Sequence, residues 1–251
     1  MSQLQEIPQD AQHSTANDQQ SSFSVTEVVK EIKQSFRLLM DGAIAQSMRD
    51  KGVDYHLNWG VTLPRLHEQA EELRNKIIHQ TNHTVLDGNR DAASASAADG
   101  ILYELSIALW KENVRECKIL ATMLMPASLM LSEVCDIWME QMPTQEIAEQ
   151  AAFRLWQYLP YAPKKAFQWI ADERELYQLC GFHVLTRLFM RGHELNERGI
   201  NEFLDQALSA IQGPFVAVRK AAFQSVQRFA ELGIVYERMA KSALKGSGIG
   251  Y

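Results

Sequence analysis

The sequence predicts an all-α fold, a solenoid (α-α superhelix) of stacked helix pairs, and three observations predict it. From Ile101 onward apolar residues recur at helical spacing in segments of roughly 12 to 18 residues. Helix breakers separate those segments at Asn113, Pro126, Pro143, Pro160 with Pro163, Gly192, Gly213 with Pro214, and Gly233. The helix starts are also self-similar: VRECKILATML, from Val114, matches VRKAAFQSVQRF, from Val218, with further starts near Ile147 and Leu176. A closed bundle would show the same punctuation. The repeated Val-Arg start favours the solenoid.

Taken in order, residues 1–22 are rich in Gln, Ser and Asp, with too little apolar surface to offset the entropy of ordering, and are expected as a disordered arm. A single repeat domain follows over residues 23–244. Its first helix opens at Ser24, which has capping-box spacing to Glu27, and carries Val25, Val28, Val29, Ile32, Phe36 and Leu39. The periodicity predicts one helix to about Asp50, stopped before Gly52. In DYHLNWGVTLPRL the alternation of Tyr55, Leu57, Trp59 and Val61 predicts an extended connector before Pro64 opens a helix with Leu66, Ala70, Leu73 and Ile77. Residues His79 to Gly100 are poor in large apolar side chains and contain Asp87-Gly88, which predicts a long connection. Beyond it, starts spaced by about 29 to 42 residues suit two-helix repeats of the HEAT type. Residues 245–251 are expected as a flexible tail.

Composition excludes several classes. A 46% hydrophobic content over 251 residues is ample for a continuous core. No apolar run reaches the length of a bilayer span and the N-terminus lacks signal-peptide character, so no membrane partner and a cytoplasmic location are expected. Cys117, Cys135 and Cys180 are odd in number and lie in apolar helical stretches, which predicts buried thiols. The net charge of −6 opposes bulk attraction to nucleic acid. That acidity lies in the N-terminal part: residues 1–112 hold 10 basic against 16 acidic residues, and 113–251 hold 15 of each.

Three stretches together resemble the DNA-alkylation-repair glycosylase family of HEAT-like repeat proteins: DYHLNWGVTLPRL with its following helix, ALWKENVRECKILATMLM, and AFQWIADERELYQLCGFHVLTRLF. The resemblance spans about Ser22 to Leu244. It implies a DNA-binding protein of alkylation repair whose concave face takes duplex DNA carrying a cationic alkylated purine. Cleaving that glycosidic bond needs a carboxylate beside the sugar and electron-rich rings to favour the cation. The resemblance places Glu149 at the family's catalytic Asp. It also places Gln145 at the Trp one turn earlier, Gln224 at a second Trp, and Leu179 at an Arg, so three of these four positions carry another residue type. Two functions follow from it: a divergent DNA glycosylase using Glu149, or a non-catalytic scaffold that binds protein or structured nucleic acid.

Read from the residues alone, Glu146 and Glu149 lie in the first turns of a helix, where acids favour the positive dipole end. Arg154, Lys164, Lys165, Arg187, Arg191, Arg219 and Lys220 fall at similar places in successive repeats. On a solenoid such positions line up, so they are candidates for phosphate-backbone contacts, or for an ordinary solvated face with Glu173, Glu175, Glu194 and Glu197. His79 and His83 lie four apart with no Cys or acid to complete a metal motif, and His183 reads as a satisfied core histidine. Neither a metal nor a cofactor is called for. Trp110, Trp138, Trp156, Trp169, Met123, Met125, Met130 and Phe189 read as core.

Overall fold

Short polar side chains set the first two helix starts. The computed structural model describes residues 24–84 and 90–246. Helix α1 (Val25–Leu38) is capped by Ser24, whose hydroxyl accepts from the Glu27 N–H at 3.4 Å, and it buries Val29, Ile32 and Phe36. It does not continue to Asp50. Asp41 opens a separate α2 (Gly42–Asp50) by accepting from the Ala43 and Ile44 N–H groups at 3.0 and 3.1 Å. An Asp carboxylate offers the backbone this alternative to helix continuation, and here it wins over the apolar period.

Residues 53–62 form the extended connector. Leu57 pairs with Val114 in an isolated parallel bridge, and the Arg115 N–H donates to the Leu57 carbonyl at 3.0 Å. The Asp41 N–H donates to the Trp59 carbonyl at 2.9 Å, which brings two backbones together at Gly60. Gly60 has φ +74°, and a Cβ there would lie 2.1 Å from the Asp41 carbonyl oxygen. Only glycine fits.

The long connection expected over His79 to Gly100 is instead helical on both sides of the undescribed residues 85–89. Helix α3 (Leu63–Thr84) reaches into it from one side and α4 (Arg90–Lys111) from the other. Its Ala/Ser run lacks bulk, but Ala is the strongest helix former, and Ala98 is buried. Eight helices follow: α5 (Arg115–Leu124), α6 (Ser132–Glu140), α7 (Gln145–Arg154), α8 (Ala162–Ile170), α9 (Glu175–Met190), α10 (Glu197–Gln212), α11 (Val216–Ala230) and α12 (Ile234–Gly246). A 3-10 turn, Trp156–Tyr158, lies between α7 and α8. Lys245 and Gly246 close α12, while the expected arm lies outside the described residues, as does the chain from 247.

The helices form two layers. In one, α3, α5, α7, α9 and α11 pack each against the next. In the other, α1 packs on α4, and α8, α10 and α12 run in order. Helix α6 joins α4 to α8 in this second layer: Trp138 stacks on Trp110 of α4 at 4.1 Å, and Asp136 accepts from Lys165 of α8. This is a HEAT-like helical-repeat solenoid. The core runs its length through Trp156–Trp169 and the Phe189–Phe203–Phe229 cluster, with Met123, Met125 and Met130 buried. At Gly181 a Cβ would meet Ile170 Cγ2 at 2.6 Å and the Ala166 carbonyl at 2.8 Å, so α8 and α9 touch through a bare backbone. The three thiols are buried, which pushes Cys117 and Cys135 each up to about 12. Among the described residues no helix is long and apolar enough to cross a membrane.

Candidate nucleic-acid interface

The layer α3–α5–α7–α9–α11 offers its open side through side chains at i, i+4 spacing. Helix α7, started by the Thr144 hydroxyl on the Ile147 N–H, buries Ile147, Ala148, Ala151 and Ala152, which turns Glu149 and Phe153 outward. Helix α9 buries Leu179, Phe182, Leu185 and Phe189 and leaves His183 and Arg187 on its open side. Helix α11 does the same with Gln224 and Arg228. The pairs stack into two rows across three helices. One row is Glu149, His183 and Gln224; the other is Phe153, Arg187 and Arg228. Together with Gln150, Ala152, Thr186 and Met190 they line a groove of about 520 Å³.

Contacts tie the rows together. His183 Nε2 faces Glu149 Oε1 at 3.7 Å without a hydrogen bond, while Glu149 Oε1 accepts from Gln145 Nε2 at 2.9 Å. Burial holds the His183 imidazole below its ordinary value, against the opposing pull of Glu149, so it is neutral at pH 7. His183 is therefore a groove residue with an unpartnered nitrogen, not the satisfied core histidine its apolar neighbours suggest. The Arg187 guanidinium lies 4.4 Å from the Phe153 ring centre, and burial and the neighbouring Arg228 charge both lower its proton affinity. Arg228 is paired with Glu231 at 2.7 Å at the exposed end of α11, whereas Arg187 forms no ion pair among the described residues and is open to an anion.

The basic stripe expected along one face divides in two. Arg187 lies in the groove. Arg191 continues its row at the end of α9, over the Tyr158 ring at 4.7 Å and donating to the Gln157 carbonyl at 2.8 Å. Lys220 is exposed one turn before Gln224 on α11. Arg154 is half-buried at the end of α7, between Gln150 Oε1 at 3.3 Å and His67 Nδ1 at 3.4 Å. Arg219 is turned back onto the Gly213 carbonyl at 3.1 Å. Lys164 and Lys165 stand apart, on α8 in the other layer. Lys164 is exposed there, but Lys165 is buried and its Nζ is 2.6 Å from Asp136. The expectation of one shared face does not hold for this pair, because α8 presents its N-terminal turn to α6.

Of the positions carried over by resemblance, Glu149 and Gln224 meet in the groove, with Gln145 exposed one turn before Glu149. Leu179 is buried in the core, 1% exposed, and does not reach it. Sequence reasoning passed over Arg228, Phe153, Thr186 and Tyr158. The signal for Arg228 was present, since it lies two turns after Lys220.

Beneath this face a buried polar network fixes α7. Arg115 donates through Nε and Nη2 to Glu146 at 2.8 and 2.6 Å and through Nη1 to the Val61 carbonyl at 2.9 Å. Glu116, fully buried, accepts from the Trp59 and Val61 N–H groups at 3.3 and 3.2 Å. Tyr55 donates to Glu146 at 2.5 Å. Burial works to raise the Glu146 carboxyl, but the hydrogen bonds and charge of Arg115 outweigh it and hold the group below its ordinary value. Glu146 is thus a bolt between connector and helix. Helix-end electrostatics describes only part of its role.

No protein-family profile matches the chain, and no curated protein does. One solved structure does match, described as "a new family of proteins related to the HEAT-like repeat DNA glycosylases with affinity for branched DNA structures". The match covers 86% of this chain and 81% of that one, with a TM-score of 0.66 at 15% identity. The likeness is one of fold.

Proposed function

We propose that this chain binds DNA, with branched DNA as its preferred form, through the open side of α7, α9 and α11. The observation that carries this reading is the row Phe153–Arg187–Arg228, flanked one turn on by Arg191 over Tyr158, with Lys220 exposed beyond Gln224 on the other side of the groove. Exposed rings interleaved with guanidiniums suit a nucleic-acid backbone and its bases, whatever the net charge of the whole chain. The structural neighbour's affinity for branched DNA supplies the preferred form.

Excision of a cationic purine is the reading that Glu149 supports, since its carboxylate lies in the same groove. Against it, Gln145 and Gln224 supply no electron-rich face beside Glu149. A groove with two guanidiniums disfavours a positively charged base. DNA binding without excision is therefore the better reading. Anisotropy titrations with a four-way junction and a duplex of equal length test it: salt-sensitive binding with tighter affinity for the junction is expected, and equal or absent binding overturns it. Incubation with alkylated DNA is expected to release no base.

A further inference from the structure

The groove holds more than phosphate contacts require. Beside Phe153, Arg187 and Arg228 stand the Gln224 amide, the Thr186 hydroxyl and the His183 ring. Thr186 is 5% exposed, and neither its Oγ1 nor His183 Nε2 has a hydrogen-bond partner. A buried polar atom normally finds a partner, and these two lie covered just beneath the groove wall, where a ligand atom completes the set once the side chains over them shift. The volume of about 520 Å³ falls within the ~300–1,000 Å³ that takes a molecule of nucleotide size. The two rows also give the groove a polarity, with the Glu149 carboxylate on one side and the guanidiniums on the other.

Resting on the branched-DNA reading, we infer that this groove receives one unpaired nucleotide from the branch point. Its phosphate lies between Arg187 and Arg228, its base against Phe153, and its edge toward Gln224, Thr186 and His183. The phosphate relieves the repulsion between the two guanidiniums and draws Arg187 off the ring face that the base then takes. Arg187 is free to move, since its hydrogen bond there is to the Met190 sulfur at 3.6 Å, a weak acceptor. Arg228 is held by an exposed pair with Glu231, which is weak in water. A paired base cannot enter, because both its faces and its edge are already engaged in the duplex. An unpaired one at a branch has the least stacking to give up.

Two three-way junctions with the same arm sequences test this, one fully paired and one with two added unpaired thymidines at the branch. The unpaired form is expected to bind about tenfold tighter, the order of one base stacked on a ring. Phe153→Ala is expected to erase that difference; because Phe153 is 41% exposed, the variant keeps the fold, which a thermal melt checks. A 2-aminopurine at the unpaired position is expected to change its fluorescence on binding to the parent protein and not to the variant. Equal affinity for the two junctions overturns the inference, as does a variant that keeps the full difference. Free deoxythymidine monophosphate binding as tightly as the junction also overturns it. Absence of binding to either junction sinks the branched-DNA reading itself, a result distinct from these.

Discussion

The guanidinium of Arg115 holds both carboxylate oxygens of Glu146, at 2.8 and 2.6 Å, and through this pair the extended connector, α5 and α7 become one unit. Arg115 is 4% exposed and Glu146 20% exposed in its side chain. A buried pair of this kind adds little over an apolar replacement, but breaking it leaves a charge without compensation. Arg115→Ala, which strands Glu116 and Glu146 together, is expected to lower stability by roughly 3–5 kcal/mol in urea denaturation. Because Glu149 lies one turn along α7, the same variant is expected to weaken DNA binding although Arg115 does not line the groove.

The acid limb of stability follows from Glu146. Its folded value lies below the ordinary ~4.3, so the unfolded chain takes up the proton first. The contribution is fully present above that ordinary value and is lost as pH falls through the lower folded one. Glu146→Gln is expected to flatten stability against pH in that window, and an unchanged slope there would sink the assignment.

Arg187 and Arg228 are predicted to contact phosphate, whereas Lys165 is not. Arg187→Ala and Arg228→Ala are each expected to weaken junction binding and to reduce the slope of log affinity against log salt by about 0.9. Lys165→Ala removes the buried stem that reaches Asp136 and is expected to cost stability, about 0.5–3 kcal/mol, with the salt slope unchanged. The two measurements separate the layers of the solenoid.

Much of the fold was legible because its cues are local. Ser24 and Pro64 mark helix starts in one dimension, and the breakers from Asn113 to Gly233 divide the later helices. Where local cues competed, the apolar period was the poorer guide. Asp41 cut a helix that the apolar period through Leu39 carried on to Asp50, and alanines held α4 together without bulk. The groove was less legible, since His183, Phe153 and Arg228 belong to three helices and only packing brings them together. Lys164 and Lys165 show the converse: a shared position relative to helix ends does not fix the layer.

Two glycines carry the close approaches that set the helix layers, and each is expected to reject alanine. At Gly60 the new Cβ would add strain at φ +74° to a 2.1 Å overlap with the Asp41 carbonyl. At Gly181 the overlap is with Ile170 Cγ2 and the Ala166 carbonyl. Overpacking of this kind costs roughly 1–3 kcal/mol, and at Gly60 the strain adds to it. Thermal denaturation is expected to rank Gly60→Ala below Gly181→Ala, and either variant melting like the parent would contradict the packing described.

His183 gives a second, separate pH window. Burial lowers its proton affinity in the folded chain, so protonation favours the unfolded state. Its contribution is fully present above the ordinary value of about 6.5 and is lost as pH falls from there through the lower folded value. This loss begins well above the range in which Glu146 acts, so the two can be told apart in one titration. His183→Gln, which keeps a polar side chain facing Glu149 but cannot take up a proton, is expected to remove the upper window and leave the lower one. Urea midpoints between pH 7.5 and 5 check this, and a His183→Gln curve parallel to the parent's would show that the imidazole is not held neutral in the groove.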